Sequence, residues 1–334
     1  MLITNFPMAH SRYAQIKSWE WNLPLDRGED QEKSEKGMRK NSLSPFSKVF
    51  LNGSFVDITR AKISVFDRGF LYGDGLFETM RAYWGEVFRL EDHLDRLFRS
   101  AKEIELSLPY TRKELQNIVR RLLRINGLSR AYIRLTLSKG VSEPGLISKP
   151  KSSPTLVIVA RDFKPLSPSE YRKGWRATVV ETRQNQASPL SRLKSLNFLN
   201  NILARKEAEA KRVAEGILLN TLGEVTEASA SNIFLVKKGV VITPLEESGL
   251  LPGITRKVVL ELASSLGVEA YDKKVFLDDL MVADEAFLTN SLIEIMPLVE
   301  IDGRPVGNGK PGPLTQRIHK AYQELVKEEI KVKR

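Results

Sequence analysis

The chain has 334 residues, 42% of them hydrophobic, with charge spread along its length, which describes a globular protein large enough for two cores. It has no cysteine and only three, widely separated histidines, so a disulfide framework and a metal-ligand spacing are both excluded, and no apolar run is long enough to span a bilayer. The net charge of +11 is interleaved with acids, as in Ala208-Glu-Ala-Lys-Arg212, which describes a solvated surface attracting anionic small molecules rather than a nucleic-acid footprint. With no secretory signal at the start, a cytoplasmic location is expected.

Residues 1–45 include the polar run Asp26 to Gly37 and no apolar period, so they are expected to be a flexible extension, or an upstream mis-called start with Met38 as the true beginning. Order begins with a hairpin, Lys48–Leu51 and Ser54–Val56 around Asn52-Gly53, because both turn positions need positive φ. A second hairpin is predicted around Trp84-Gly85, between Met80–Tyr83 and Glu86–Arg89. Leu90, Leu94, Leu97, Phe98, Ala101 and Ile104 then keep helical spacing. Thr111 to Glu114 reads as a capping box opening a helix that ends near Gly127. Strands at Ala131–Ser138 and Thr155–Ala160 complete a small α/β domain over residues 46–162, followed by an interdomain loop over 163–174 with its prolines and serines. A larger α/β domain over 175–334 is predicted to hold a strand at Trp175–Thr182, a helix from about Ser195 to Val213, and strands at Gly216–Thr221 and Glu224–Val236. Helices near Ile254–Leu266 and Pro313–Lys331 bracket two further strands. The strict βαβ alternation of a doubly wound sheet is missing, as are Rossmann and P-loop glycine patterns.

Several segments carry chemistry in a fixed order. They are Phe66-Asp-Arg-Gly-Phe-Leu-Tyr-Gly-Asp-Gly-Leu-Phe-Glu-Thr79, Glu91-Asp-His-Leu-Asp-Arg96, Arg192-Leu-Lys194-Ser-Leu-Asn-Phe198, Glu227-Ala-Ser-Ala-Ser-Asn232-Ile-Phe234, Leu251-Pro-Gly-Ile-Thr255 and Thr289-Asn-Ser291. Together they resemble the class IV (fold type IV) aminotransferases and lyases, which use pyridoxal 5′-phosphate (PLP). The resemblance runs from residue 48 to about 325. It implies a mixed α/β (α+β), two-domain fold of the D-amino acid aminotransferase type and a homodimer with each active site near the interface.

PLP needs an amine to bond its aldehyde, a partner for its pyridine nitrogen and donors for its phosphate. The resemblance implies Lys194 as the Schiff-base lysine and base, and Glu227 as the pyridine-nitrogen partner. It implies Arg96, Ile254, Thr255, Asn290 and Ser291 as phosphate ligands. The residue chemistry agrees: Gly253 before a helix leaves backbone N–H groups free for an anion, and arginine offers a planar fork of donors. Arg134 and Arg81 are the candidate anchors for an anionic substrate group, because the loop Gly140–Gly145 carries Val141-Ser-Glu-Pro144 in place of an arginine.

The family holds branched-chain aminotransferases, D-amino acid aminotransferases and 4-amino-4-deoxychorismate lyases. Ser188 to Arg192, Leu76 to Thr79 and Thr289 to Pro297 resemble the lyases. Val87 to Leu97, Tyr132 to Arg134 and Asp302 to Gly307 resemble the branched-chain enzymes. Phe198 stands where those enzymes have a tyrosine that bonds the cofactor's O3′, and a phenyl ring cannot make that bond. The expectation is aminodeoxychorismate lyase, producing 4-aminobenzoate and pyruvate for folate synthesis, with a transaminase as the alternative. A PLP-free binding protein on the same fold is the third reading, disfavoured by the joint presence of Lys194, Glu227 and Arg96.

Overall fold

A computed structural model describes residues 47–147 and 153–332. The extension expected over residues 1–45 lies outside the described residues. The first sheet starts at Asn52-Gly53, whose φ values of 45° and 96° close β1 (Lys48–Leu51) on β2 (Ser54–Asp57). After a short helix α1 (Arg68–Tyr72), β3 (Gly75–Tyr83) turns at Trp84-Gly85 into β4 (Glu86–Val87). Two helices follow, α2 (Leu90–Glu103) and α3 (Arg112–Ile125), and then β5 (Ala131–Ser138) and β6 (Thr155–Asp162). The six strands form an antiparallel sheet in the order β2-β1-β6-β5-β3-β4.

Helix α3 begins as its sequence requires. The Thr111 hydroxyl accepts from the Glu114 N–H, and the Glu114 carboxylate accepts from the Thr111 N–H at 2.7 Å. Leu94 and Leu97 of α2 and Leu115 and Leu122 of α3 are sealed against Met80, Ile133 and Ile158 of the sheet. Each such leucine contributes about 1.5–3 kcal/mol over leaving it in water.

The segment expected to be an interdomain loop contains a helix, α4 (Pro168–Lys173), opened by a capping box of Ser167 and Glu170. Next come β7 (Trp175–Gln184), α5 (Leu199–Ala210), β8 (Glu215–Asn220), β9 (Val225–Ala228), β10 (Asn232–Lys237) and β11 (Val240–Pro244). The chain continues through α6 (Ile254–Ser265), β12 (Ala270–Lys273), α7 (Leu277–Met281), β13 (Glu285–Asn290), β14 (Glu294–Ile301), β15 (Arg304–Pro305) and α8 (Pro313–Val332). A mixed sheet runs β12-β11-β10-β13-β14-β7-β8-β9, with β15 on β14. Among the described residues no helix is long and apolar enough to cross a membrane.

Two expectations fail here for one reason. The helix expected from Ser195 begins only at Leu199, because the preceding residues pair with β3: Phe77 N–H donates to the Lys194 carbonyl and Leu196 N–H to the Gly75 carbonyl, both at 2.9 Å. The strand expected over Glu224–Val236 breaks at Ser229–Ser231, where the Ala228 N–H turns back to the Ser231 carbonyl at 2.7 Å. In both places backbone pairing with a neighbour outweighs local pattern.

Candidate active site

The break at Ser229–Ser231, the Lys194 segment, the start of α6 and the end of β13 face one cavity of about 260 Å³. Phe77 and Thr79 of β3 and Tyr132 and Arg134 of β5 line it from the other sheet. Lys194, Arg96, Glu227, Ile254, Thr255, Asn290, Ser291 and Arg134 are all brought together here.

Arg81 is not with them, which corrects its candidacy as a substrate anchor. It lies two residues beyond Thr79 on β3, and its guanidinium is spent on the Glu294 carboxylate and the Leu292 carbonyl, both at 2.9 Å. Buried between Tyr83 and Phe163, it has no free face to offer a ligand.

The amine of Lys194 lies over the Phe77 ring, 4.5 Å from its centre. Burial, reinforced by the Arg96 charge, pushes it down to about 8 against the pull of Glu78 and Glu227. At that value a useful fraction is neutral, and therefore nucleophilic and basic, near neutral pH. Glu227 moves the opposite way. Burial raises its carboxyl to about 8, although it accepts hydrogen bonds from Leu251 N–H at 3.2 Å and Asn232 Nδ2 at 3.3 Å. It is a carboxyl in a dry wall that stays charged only beside a cationic partner.

The third wall has the donors an anion would need. Helix α6 has Gly253 at its N-cap and no side-chain cap, so the Ile254 and Thr255 N–H groups point outward with the positive end of the helix behind them. Arg96 of α2 reaches this end and donates NH1 to the Pro252 carbonyl at 2.9 Å. Asn290 and Ser291 close this wall. Asn290 Oδ1 accepts from Leu292 and Ile293 N–H and shapes the turn. Next to them Thr289 Oγ1 is buried without a hydrogen-bond partner among the described residues, a polar atom whose need a ligand can meet.

Arg134 differs from Arg96, the other arginine lining the site. Its guanidinium stacks on Phe77 at 3.8 Å and makes no hydrogen bond or ion pair among the described residues. The sequence had shown its position but not its freedom.

Three participants were not assigned roles from the sequence. Asn232 holds both Glu227 and the Leu251 carbonyl, the latter at 2.8 Å. Glu78 and His93 stand behind Arg96. A signal existed for Glu78, which shares the alternating positions of Leu76, Met80 and Ala82 and so puts a carboxylate on a core face.

A family model described as "Amino-transferase class IV" matches residues 75–301. A putative branched-chain-amino-acid aminotransferase of Methanocaldococcus jannaschii is 42% identical over 83% of this chain and 96% of its own length. The aminodeoxychorismate lyase of Bacillus subtilis is 34% identical over 84% of this chain and 96% of its own. In structure the chain is similar to the branched-chain aminotransferase of Escherichia coli, at a TM-score of 0.81 and 32% identity, over 84% of this chain and 94% of the other.

Proposed function

Since the chain belongs to the class IV aminotransferases, a family of PLP-dependent enzymes, we propose that it is a transaminase moving an amino group between an α-amino acid and a 2-oxo acid. The observation that carries this reading is Arg134. One free guanidinium shares the Phe77 ring with the Lys194 amine, which suits a substrate with a single carboxylate next to the carbon that loses its proton. Aminodeoxychorismate carries two carboxylates, and the described walls offer no second unpaired arginine for the other.

The residues present fit PLP. Bound there, the cofactor supplies an aldehyde and an electron-withdrawing ring. Lys194 would hold it covalently through Nζ, and Glu227 would face the pyridine nitrogen, whose positive charge is what a buried carboxyl needs to ionise. The N–H groups of Ile254 and Thr255, with Arg96, Asn290 and Ser291, would hold the phosphate. Arg134 orients the substrate by its carboxylate. Lys194 Nζ would take the proton from the substrate Cα, and its lowered basicity would let it give that proton up again. The apolar walls of Phe77, Phe198 and Leu193 keep water from the reacting carbon.

The lyase expected from the sequence keeps one specific support. Phe198 stands on the cavity wall, its ring edge-on to Phe77 at 5.4 Å, and brings no hydroxyl to the cofactor. The B. subtilis lyase adds weight to it, while the M. jannaschii and E. coli relatives weigh toward transamination. We further place the chain in a homodimer. Phe66 and Phe70, and Leu199 and Ile202 on the helix that follows the cavity-lining Phe198, stand exposed, apolar side chains that a second subunit would cover.

Purified protein with L-leucine, D-alanine and aminodeoxychorismate in turn decides the reaction. Amino transfer to a 2-oxo acid, without pyruvate from aminodeoxychorismate, is expected. Pyruvate release from aminodeoxychorismate would replace the transaminase with the lyase. Borohydride reduction and peptide mapping should find the cofactor on Lys194, and a label on any other lysine removes the assignment.

A further inference from the structure

Glu78 takes no part in the chemistry above, yet it is fully buried and every oxygen it has is used. Arg96 donates Nε to Oε1 at 2.8 Å and NH2 to Oε2 at 2.7 Å, a two-pronged pair. His93, one helical turn before Arg96 on α2, places Nδ1 2.8 Å from Oε2. Burial by itself raises this carboxyl, but Arg96 and His93 outweigh it and hold it at about 2, so it is ionised.

An ionised Glu78 dictates the rest of the network. It can only accept, so His93 Nδ1 carries the hydrogen and donates. Burial keeps the imidazole neutral, which leaves the Nε2 lone pair to accept the Ser291 hydroxyl at 3.3 Å. Arg96, clamped on one edge by the carboxylate, turns NH1 onto the Pro252 carbonyl at 2.9 Å, immediately before the N-cap of α6. These bonds leave N–H groups of the guanidinium over for a ligand. One carboxylate on β3 thus reaches all three pieces of the anion cradle: the arginine itself, the start of α6 and Ser291.

We propose that Glu78 is the positioning residue of the anion cradle, fixing Arg96 directly, the α6 start through Arg96 and Ser291 through His93. The proposal rests on the reading that the cofactor's phosphate lies in this cradle. The physical reason is that an arginine facing an empty anion site is a buried, uncompensated cation and turns toward solvent. Glu78 compensates the charge while holding the fork in the orientation a phosphate requires, so the ligand does not have to organise its own site.

Full-length protein freed of cofactor is titrated with PLP, with pyridoxal (which lacks the phosphate) and with inorganic phosphate as competitor. Glu78→Gln keeps shape but puts an amide donor against the arginine donors. It is expected to weaken PLP about 10- to 100-fold, the equivalent of a charged hydrogen-bond pair, while pyridoxal binds as to the unaltered protein. His93→Gln cuts only the Ser291 branch and is expected to weaken PLP about threefold to tenfold with pyridoxal unchanged. Parallel loss of PLP and pyridoxal in either variant, or no loss in both, overturns the proposal. If Glu78→Gln does not fold, the PLP-to-pyridoxal ratio of His93→Gln decides it alone. A different result, in which the unaltered protein binds PLP no better than pyridoxal and phosphate does not compete, removes the cradle assignment itself and the proposal with it.

Discussion

Lys194 and Glu227 make the stability of the cofactor-free protein depend on pH in an uncommon way. The Glu227 carboxyl goes from 4.5 to about 8 on folding, so between those values the folded chain keeps a proton that the unfolded chain has lost. Stability therefore falls as pH rises through that window. The Lys194 amine goes from 10.5 to about 8, so above 8 the unfolded chain holds the extra proton and stability rises again toward 10.5. At about 1.4 kcal/mol per unit, the acidic limb is on the order of 5 kcal/mol and the alkaline limb on the order of 3 kcal/mol. With about 2 °C of melting temperature per kcal/mol in a chain of this size, the two groups dig a trough several degrees deep centred near pH 8. The assay is the melting temperature of cofactor-free protein from pH 5 to 10 at constant ionic strength, minus that of the Lys194→Met/Glu227→Gln double variant, which removes both titrations and cancels those of other groups. A difference that is flat, or that peaks near pH 8, would refute the claim that burial has driven the two groups toward each other.

Three further outcomes follow from single contacts. Arg134→Gln removes the unpaired guanidinium and should raise KM for the amino acid about 10- to 100-fold with the cofactor's visible band unchanged; an unaltered KM would dismiss Arg134 as the anchor. Gly253→Ala adds no backbone strain at φ −71°, but its Cβ would stand 2.0 Å from Asn232 Oδ1. Asn232 must then release Glu227 and the Leu251 carbonyl, and the half-saturation concentration of PLP should rise about tenfold, a change read by titration of the visible band. Thr111→Ala opens the capping box of α3 and should cost about 1 kcal/mol, seen as a lower melting temperature, while leaving turnover unaffected because no residue of α3 lines the cavity.

Features written in a few consecutive residues were legible from the sequence: the Asn52-Gly53 and Trp84-Gly85 turns, the Thr111 capping box, and the apolar stripe of α2 from Leu90 to Ala101. Each depends on φ preference, a hydrogen bond three residues away or a 3.6-residue period, all properties of the local chain. The ordered motifs around Lys194, Glu227 and Gly253 likewise indicated the family, because the cofactor's chemistry demands those residue types. Only the tertiary structure decided what those side chains experience. Arg81 and Arg134 sit on paired neighbouring strands with similar local surroundings, yet one is consumed by Glu294 and the other is left free, since strand register and the approach of β14 are long-range facts. Lys194 follows the same rule. Its apolar neighbours suggest partial burial and a helix is expected from Ser195, but the edge of β3 pairs with the segment, and full burial there brings its amine to about 8. A sequence records which groups exist and how the nearby chain bends, whereas desolvation and charge compensation come from atoms far away in sequence.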